Sequence, residues 1–590
     1  MSEKPDLVPS FCRFAWHLHE RLADENCLDT EQKARLFDVI GALLRAMDAG
    51  EVCLDLRLVS TPETMENLKA MLLGSHLVSR TEDNDVLFVL DDSDRLYLHR
   101  FYRYEVQLAN CLKNIKSHRF GLKDEEFHLT SLFSSLTLPA GNDLQALAVA
   151  VAQMSGLTVI SGGPGTGKTW TVVKILEALL LREPNLRIAM CAPTGKAAAR
   201  MSESVRQSLS GVSEQVRAHI PTKAQTVHRL LQQLGQQTFD VVVLDEASMV
   251  SLSLMARLVS ALSEKTRLIC LGDKDQLASV EPGAVFAELS QQFAFTETCR
   301  ERLASLGFDS KRLNKATDTV ALGQQWDLID HTVWLTKSYR FDDQKGIGLL
   351  SRCVREGKAS EAIGKLLESD EQLSYFELQG SEGELDASIQ KAVIEAYRPY
   401  FEKVQGFFNG QNDLDAVFEA LHRFGLLCAT NEGAFGVDAL NDLVVRSQAI
   451  DWPIGLDGHF PGEVIMVAVN DYDLRLNNGD IGVVVKSPEG KLVVYFETVD
   501  EAGQQTYRQI AVGRLPEHKR AFALTIHKSQ GSEFDKVLMI LPPKSRLLTR
   551  ELCYTGITRA KKHLTVVASK EALRRSIQSP TERISGLLSR

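Results

Sequence analysis

Three features are missing from this 590-residue sequence, and each absence excludes a class of protein. The ten cysteines include no C-x-x-C pair, and several lie inside apolar segments, which predicts buried free thiols in a reducing compartment instead of disulfides or a zinc site. No apolar run approaches the ~20 residues that a transmembrane helix needs. The N-terminus carries no basic segment followed by an apolar core, so we expect a cytoplasmic bacterial protein without a secretory signal or a membrane partner.

Charge is unevenly distributed along the chain. The net charge is −10, yet residues 511–590 contain 16 Lys and Arg against 6 Asp and Glu. A basic C-terminal end predicts a surface that faces an anionic partner such as a nucleic acid. The alternative is a solvated basic face that contacts nothing, and charge alone does not separate the two.

Residues 157–171, LTVISGGPGTGKTWT, combine a short apolar strand, a glycine-rich loop and the start of a helix. In loops of the form G-x-x-x-x-G-K-[ST], backbone N–H groups surround phosphate oxygens, the lysine contacts the β and γ phosphates, and the final hydroxyl holds Mg²⁺. A chance glycine loop is the alternative, but the strand–loop–helix context favours a nucleoside triphosphate site. The loop residues are Gly162, Gly163, Pro164, Gly165, Thr166, Gly167, Lys168 and Thr169.

Two further strands end in polar residues that suit the same site. An apolar run at 241–244 ends in Asp245 and Glu246, a Walker B arrangement in which the first carboxylate binds Mg²⁺ and the second polarises the attacking water. A strand at 267–271 leads to Gln276, which we expect to sense the γ-phosphate. Gln145, on the approach to the loop, has the donor and acceptor needed to contact an adenine edge, although an ordinary surface glutamine is the alternative.

Patterning divides the chain into three parts, as expected for its length. Residues 1–125 are predicted to form a mostly helical module that docks on a partner protein, with a capping pair of Asp29 and Gln32 at the start of one helix and a short strand that begins at Arg95. Residues 126–345 alternate strands and helices around the phosphate loop, and residues 346–590 form a second α/β half without a phosphate loop. Within that half, turn signals at 477–480, 487–490 and 500–503 predict a small inserted β-barrel at about 460–515.

Seven segments occur in an order that resembles the superfamily one DNA helicases: GGPGTGKT, APTGKAAAR, VVLDEAS, GDKDQL, KSYRF, TIHKSQGSEF and YTGITRAKK. From roughly residue 90 onward the chain is similar, more narrowly, to the RecD family, the alpha subunits of RecBCD-type enzymes (exodeoxyribonuclease V). The resemblance implies an α/β fold with two RecA-like P-loop domains, a helical N-terminal domain and a small SH3-like β-barrel insertion. It also implies ATP and Mg²⁺ as ligands and RecB-like and RecC-like partners in a heterotrimer.

The resemblance assigns roles to individual residues. Single-stranded DNA would cross both domains, gripped through its backbone by hydroxyls, amides and lysines, and the implied activity is ATP-dependent 5′ to 3′ translocation and unwinding at DNA ends in recombinational repair. The implied catalytic residues are Lys168, Thr169, Asp245, Glu246 and Gln276 from the first domain, with Arg340 and Arg559 from the second. The implied DNA contacts are Pro193, Thr194, Lys196, Thr226, His228, Thr525, His527 and Lys528.

Three alternatives remain beside this interpretation. A stand-alone helicase of the same superfamily is disfavoured by the short N-terminal module, which lacks helix-hairpin-helix elements. A non-catalytic assembly subunit is disfavoured by the intact Lys168, Glu246 and Arg559. A nuclease within the chain is disfavoured because no convincing carboxylate cluster lies outside the ATP site, so nuclease activity is expected in a partner.

Overall fold

The computed structural model describes residues 28–81, 86–117, 144–309, 313, 329–368, 370–378, 385–448, 452, 454–455, 458–471, 473–487, 490–499, 505–581 and 583–590. The predicted boundary near residue 125 and the predicted turn at 500–503 lie outside these residues. None of the described helices is both long and apolar enough to cross a bilayer. All cysteines in the described ranges are free thiols, and most are buried, as predicted.

The N-terminal unit combines three helices of 13 to 19 residues with a four-stranded sheet of short strands, so the described part of it is mainly helical and also contains a sheet that was not predicted. Only the strand at Arg95 was expected, because strands of two or three residues are too short for alternation to be visible in a sequence. The predicted capping box of Asp29 and Gln32 is confirmed. The helices are α1 (Thr30–Asp48), α2 (Pro62–Gly74) and α3 (His99–Ser117), and the strands, in the order β1-β4-β3-β2, are β1 (Cys53–Asp55), β2 (Val78–Ser79), β3 (Phe88–Leu90) and β4 (Arg95–Leu98).

The first α/β domain is built on a six-stranded, wholly parallel sheet with the order β10-β5-β9-β8-β6-β7. Its strands are β5 (Leu157–Gly162), β6 (Ile188–Ala192), β7 (Gln225–Thr226), β8 (Val241–Leu244), β9 (Arg267–Gly272) and β10 (Thr332–Leu335). Its helices are α4 (Leu144–Met154), α5 (Lys168–Arg182), α6 (Gly195–Ser208), α7 (Glu214–Arg217), α8 (Val227–Leu234), α9 (Leu252–Ser260), α10 (Val285–Leu289) and α11 (Glu297–Ser305). Since β5, β9 and β8 are neighbours, the loops that follow them meet at one edge of the sheet.

The second α/β domain has a five-stranded parallel sheet with the order β11-β20-β19-β12-β18. Its strands are β11 (Leu373–Glu377), β12 (Phe424–Cys428), β18 (Ala523–Thr525), β19 (Phe534–Ile540) and β20 (Ala560–Ala568). Its helices are α12 (Gly346–Arg355), α13 (Ala359–Leu367), α14 (Ala387–Phe408), α15 (Leu414–Arg423), α16 (Val437–Gln448), α17 (Arg550–Ile557) and α18 (Lys570–Gln578). Two parallel sheets in one chain agree with the predicted α/β class.

A five-stranded antiparallel sheet interrupts the second domain between β12 and β18. Its strands, in the order β16-β15-β14-β13-β17, are β13 (Val464–Val467), β14 (Ile481–Lys486), β15 (Leu492–Val499), β16 (Gln505–Ala511) and β17 (His518–Arg520). It has a small core of its own, which includes Val484, Val494 and Phe496. The insertion is therefore a β-rich unit at the predicted place, and its SH3-like character stays a prediction.

The N-terminal unit and the first α/β domain share one hydrophobic core. Leu108 and Leu112 of α3 belong to the same buried cluster as Met255 and Val259 of α9. The final residues of the chain join this cluster through Leu587, which is buried. The tail that leaves the second domain after α18 therefore ends against the N-terminal unit and the first domain.

Candidate nucleotide-binding site

The glycine-rich loop lies between β5 and α5, as predicted. Gly165 and Gly167 have φ angles of +76° and +81°, a region that residues with a Cβ avoid, so the loop conformation requires glycine at both positions. The Lys168 ammonium lies within the loop and donates to the carbonyl oxygens of Gly162 and Gly163 at 2.6 and 3.3 Å. The loop thus places a cation and the N-terminus of a 15-residue helix around one position, the arrangement that binds phosphate.

Gln145 is buried against this loop. Its Nε2 atom donates to the carbonyl oxygen of Thr166 at 3.0 Å. A Cβ added at Gly167 would lie 2.3 Å from the same Nε2 atom, which is a second reason for glycine there. The structure therefore gives Gln145 a contact with the loop backbone, and its contact with adenine stays a prediction.

Asp245 and Glu246 follow β8, two strands from the phosphate loop. Glu246 has a φ of +50°, a left-handed conformation that is strained for a residue with a side chain and typical of functional sites. Desolvation and the Glu246 charge raise the pKa of Asp245, while the Lys168 and Arg200 charges lower it. The structure thus brings Asp245, the neighbour of Glu246, into the electrostatic range of the phosphate-loop lysine.

The loop after β9 links the site to the second domain. Gln276 is buried, and its Nε2 atom donates to Oδ2 of Asp273 at 3.0 Å. The same carboxylate oxygen accepts a hydrogen bond from the Tyr554 hydroxyl at 3.2 Å, and the Leu277 N–H donates to Oγ1 of Thr555 at 2.9 Å. The predicted γ-phosphate sensor is therefore held in the contact between the two domains.

Residues 338–341 cover the phosphate loop. The Tyr339 N–H donates to the carbonyl oxygen of Gly165 at 2.8 Å, and a Cβ at Gly165 would lie only 2.4 Å from Cβ of Arg340. Nη2 of Arg340 pairs with Oε2 of Glu533 at 2.8 Å. Nη1 of Arg340 is buried and has no hydrogen-bond partner among the described residues, so one donor above the loop is available to a phosphate oxygen.

Arg559, the second predicted arginine of the site, is completely buried in the second domain. Its Nε atom donates to the carbonyl oxygen of Thr555 at 3.1 Å, and Nη1 donates to that of Ser532 at 3.2 Å. Burial lowers the pKa of the guanidinium, and the Glu246 charge acts in the opposite direction. Arg559 is therefore near the Walker B carboxylate but bonded within its own domain, and its contact with phosphate stays a prediction.

The predicted DNA contacts of the first domain follow two neighbouring strands. Ala192 of β6 is paired with Thr226 of β7, so Pro193 and Thr194 lie beside Thr226 at the carboxyl edge of the sheet. Each threonine caps a helix, because Thr194 Oγ1 accepts from the Ala197 N–H and Thr226 Oγ1 accepts from the Arg229 N–H. Two helix N-termini therefore face the same edge, while His228, two residues after Thr226, is exposed.

The predicted DNA contacts of the second domain lie at the equivalent edge of its own sheet. Thr525 ends β18, and its Oγ1 atom accepts from the Lys528 N–H at 3.2 Å. His527 is half-buried and the Lys528 side chain is exposed. Both domains thus carry their predicted DNA residues at the carboxyl ends of parallel strands.

Lys196 differs from the rest of this set. Burial lowers the pKa of its ammonium to about 8, and the charges that oppose this effect are those of Glu497 and Asp480 in the insertion. The side chain therefore faces the insertion, and its contact with DNA stays a prediction.

Several residues of the site were not predicted from the sequence. Asp273 and Tyr554 join the two domains, while Arg200 and Glu533 form an ion pair across the cleft. All four lie inside or beside segments that carry the helicase resemblance, so the motifs marked their neighbourhoods. Nothing in the sequence indicated which of these residues would meet.

Comparisons with known proteins agree with this architecture. A family model described as an AAA domain matches residues 145–282, and one described as a UvrD-like helicase C-terminal domain matches residues 520–567. A protein of Mycobacterium tuberculosis strain CDC 1551 named RecBCD enzyme subunit RecD is 35% identical, over 97% of this chain and 93% of the relative. The chain belongs to the RecD family.

A second RecD relative, from Haemophilus influenzae, is 34% identical over 89% of this chain and 84% of its own length. Among solved structures, the Pif1 helicase of Bacteroides in complex with ADP-AlF3 and single-stranded DNA is 16% identical and covers 74% of this chain, with a TM-score of 0.34. The RecD relatives extend along nearly the whole chain, so RecD membership applies to the N-terminal unit as well as to the two α/β domains.

Proposed function

We propose that this RecD-family chain is an ATP-dependent DNA helicase that moves 5′ to 3′ along a single strand. The observation that carries the proposal is the meeting of three elements at one cleft: the phosphate loop, the Asp245–Glu246 pair, and Arg340, whose buried Nη1 donor has no partner among the residues that the structure describes. The second domain contacts the same cleft through Tyr554, so a change at the nucleotide can be transmitted between the domains. ATP hydrolysis is thereby coupled to relative domain movement.

Within this site each residue has a distinct task. Lys168 neutralises phosphate charge, and Glu246 orients the attacking water and accepts its proton. Thr169 and Asp245 offer the oxygen ligands that Mg²⁺ prefers and would hold it, and the ion would supply charge neutralisation on the phosphates. Arg340, and Arg559 after the cleft rearranges, stabilise the charge of the transition state.

DNA binds across the carboxyl edges of the two parallel sheets. The hydroxyls of Thr194, Thr226 and Thr525 and the Lys528 ammonium contact the sugar–phosphate backbone and do not discriminate between bases. Movement of one edge relative to the other then advances the strand. The inserted sheet, which we interpret as an SH3-like barrel, lies beside this path.

The relatives' names support an assembly role as well as an activity. We infer that the chain is the alpha subunit of a cytoplasmic RecBCD-type enzyme, acts at DNA ends, and binds RecB-like and RecC-like subunits. Within the described residues no group of three or more His, Cys, Asp or Glu side chains could hold a metal ion, and we assign DNA cleavage to a partner. The alternative of a stand-alone helicase is disfavoured because the chain spans 93% of a relative named as a RecBCD subunit.

The test is unwinding by the purified chain of duplexes that carry either a 5′ or a 3′ single-stranded tail. We expect ATP-dependent unwinding from the 5′ tail only. Lys168→Gln should abolish ATP hydrolysis and unwinding, whereas Lys265→Gln, the same change at an exposed position, should leave both unchanged. Unwinding from the 3′ tail would contradict the direction, and DNA-stimulated hydrolysis by Lys168→Gln would contradict the site.

If the chain hydrolyses ATP in a DNA-dependent way but unwinds nothing, the same two duplexes are tested with the reconstituted heterotrimer. Restored 5′-tail unwinding would then assign the motor to the assembled enzyme. A motor role for this subunit would be contradicted if the heterotrimer with Lys168 unwound the duplexes no faster than the heterotrimer with Lys168→Gln.

A further inference from the structure

The Glu533 carboxylate is surrounded by three cationic side chains that come from separate segments of the chain. Oε2 of Glu533 lies 2.8 Å from Nη2 of Arg340 and 3.9 Å from the Lys561 ammonium, and Oε1 is bonded to Nη2 of Arg200. The Glu533 side chain is only 10% exposed. The two arginines outweigh the effect of burial and lower the pKa of Glu533 to about 2, so the carboxylate is ionised whenever the protein is folded near neutrality.

Two members of this cluster, Arg200 and Glu533, lie on segments that begin at the carboxyl edges of the two sheets, where the predicted DNA contacts are. We call these the DNA edges. Arg200 lies on α6, the helix capped by Thr194. Glu533 ends a turn that starts at Thr525, in which the Ser529 N–H donates to the Thr525 carbonyl oxygen at 3.0 Å and the Ser532 N–H donates to that of Ser529 at 2.8 Å. The Arg200–Glu533 pair therefore connects the DNA edge of the first domain with the DNA edge of the second.

A third member of the cluster, Arg340, lies at the phosphate loop. Arg340 packs on Gly165 of the phosphate loop, with Nη2 held by Glu533 and Nη1 buried without a hydrogen-bond partner in the part of the chain that the structure describes. A planar guanidinium that is fixed along one edge presents its remaining donors in a defined direction. Preorganised donors of this kind lower the barrier to phosphoryl transfer because they need no reorientation during the reaction.

We propose that Glu533 is a positioning residue that couples DNA binding to ATP hydrolysis. Its carboxylate orients the Arg340 guanidinium toward the phosphate, and Arg200 in turn fixes the position of the Glu533 carboxylate. DNA that holds the Thr194 and Thr525 edges together keeps the Arg200–Glu533 pair formed, and the paired carboxylate fixes Arg340. This inference rests on the proposed ATPase function and adds a specific route for DNA stimulation to it.

The experiment is steady-state ATP hydrolysis by the purified chain, with and without oligo(dT). We expect Glu533→Gln to lower the DNA-stimulated kcat by about tenfold or more while KM for ATP changes less than about threefold, because the lost interaction acts mainly in the transition state. Asp535→Asn is the matched control, since Asp535 lies in the same segment and pairs with Lys562 on the surface at 2.7 Å. It should leave both constants within about twofold of the unmodified chain.

Two further variants separate positioning from general support of the fold. Glu533→Asp keeps the charge on a shorter side chain and should recover part of the lost kcat. Arg200→Gln should reduce DNA stimulation, and the double variant with Glu533→Gln should lose no more than the stronger single variant, because the two residues act as one unit. Arg200→Gln also carries the test if Glu533→Gln does not fold.

The outcomes are distinguishable. Absence of DNA-stimulated hydrolysis in the unmodified chain and in the heterotrimer overturns the proposed function and this inference with it. Two results would overturn the inference alone while DNA-stimulated hydrolysis is present. In the first, Glu533→Gln has the same DNA-stimulated kcat as Asp535→Asn. In the second, the fold losses in kcat from Arg200→Gln and Glu533→Gln multiply in the double variant.

Discussion

The Tyr554 hydroxyl of the second domain lies against two elements of the first. It donates to Oδ2 of Asp273 at 3.2 Å, and it lies 2.8 Å from the position that a Cβ on Gly163 would occupy. A single buried phenol thus contacts the loop after β9 and packs directly on the phosphate loop. The absence of a side chain at Gly163 is what permits this approach.

Gly163→Ala should therefore disturb the cleft without straining the backbone, because the new methyl group would press on Tyr554. We expect kcat/KM for ATP to fall about tenfold, and Tyr554→Phe, which removes the clashing oxygen, to recover part of the loss in the double variant. Gly364→Ala is the control, since no atom of the described residues lies within 4 Å of a Cβ there. Equal losses in the single and double variants would show that the two residues do not interact.

Glu288 of α10 makes the stability of the chain depend on pH. Burial raises the pKa of this carboxyl to about 8 from an ordinary value of 4.5, against an opposing hydrogen bond from Ser585. Because the folded chain keeps a proton that the unfolded chain releases, the free energy of unfolding should fall as the pH rises from about 4.5 to 8. The loss is at most about 5 kcal/mol, at ~1.4 kcal/mol for each pKa unit.

Glu288→Gln should remove this dependence and make the chain more stable than the unmodified protein at pH 8.5, but not at pH 4.5. Urea unfolding of the transition that includes the first domain, recorded at both pH values, measures the effect. Glu301→Gln, at an exposed site, should follow the unmodified protein. A parallel pH profile for Glu288→Gln and the unmodified chain would contradict the assignment.

Glu105 and Arg590 hold the C-terminal tail in place. The fully buried Glu105 carboxylate accepts from the Gly586 N–H at 2.9 Å and from Nε of Arg590 at 3.0 Å, and the Arg590 guanidinium lies 4.1 Å from the ring centre of Tyr102. Arg590→Ala leaves a buried charge without its cation, which typically costs about 3–5 kcal/mol. Limited proteolysis should then release the tail.

The matched control for this variant is Arg574→Ala, which removes an arginine from an exposed pair with Glu571. A proteolysis rate for Arg590→Ala no faster than that of Arg574→Ala would contradict a retaining role for the Arg590–Glu105 pair.

Arg559→Ala should cost turnover far more than nucleotide affinity. The variant also frees the Thr555 and Ser532 carbonyl oxygens that Arg559 now binds, so thermal unfolding must be recorded beside kinetics. A kcat that falls about a hundredfold or more with little change in nucleotide Kd would support a transition-state contact. Equal losses in both quantities would assign Arg559 to structure alone.

The sequence predicted the parts of the site that depend on local pattern. Lys168, Asp245 and Gln276 each follow a buried apolar strand, and parallel strands bring their carboxyl ends to one edge whatever the details of packing. Capping residues such as Asp29 were equally visible, because the interaction spans three residues.

What the sequence did not predict depends on contacts between distant segments. Arg200 and Glu533 are 333 residues apart, and their pairing depends on how two separately folded sheets approach each other. The N-terminal sheet was missed for a different reason, since Phe88–Leu90 is too short to show a period of two. Lys196 resembled a DNA contact by its place in a motif, yet the carboxylates near it belong to an insertion whose position no motif encodes.

The tail gives the second domain a second attachment. One connection to the first domain runs through the residues between β10 and α12, and the other runs through residues 583–590. In the second connection the Val52 N–H donates to the Ile584 carbonyl oxygen at 3.1 Å, and Nη1 of Arg583 donates to the Gly283 carbonyl oxygen at 2.9 Å. Two attachments, one at each end of the second domain's sequence, restrict the directions in which this domain can move relative to the first.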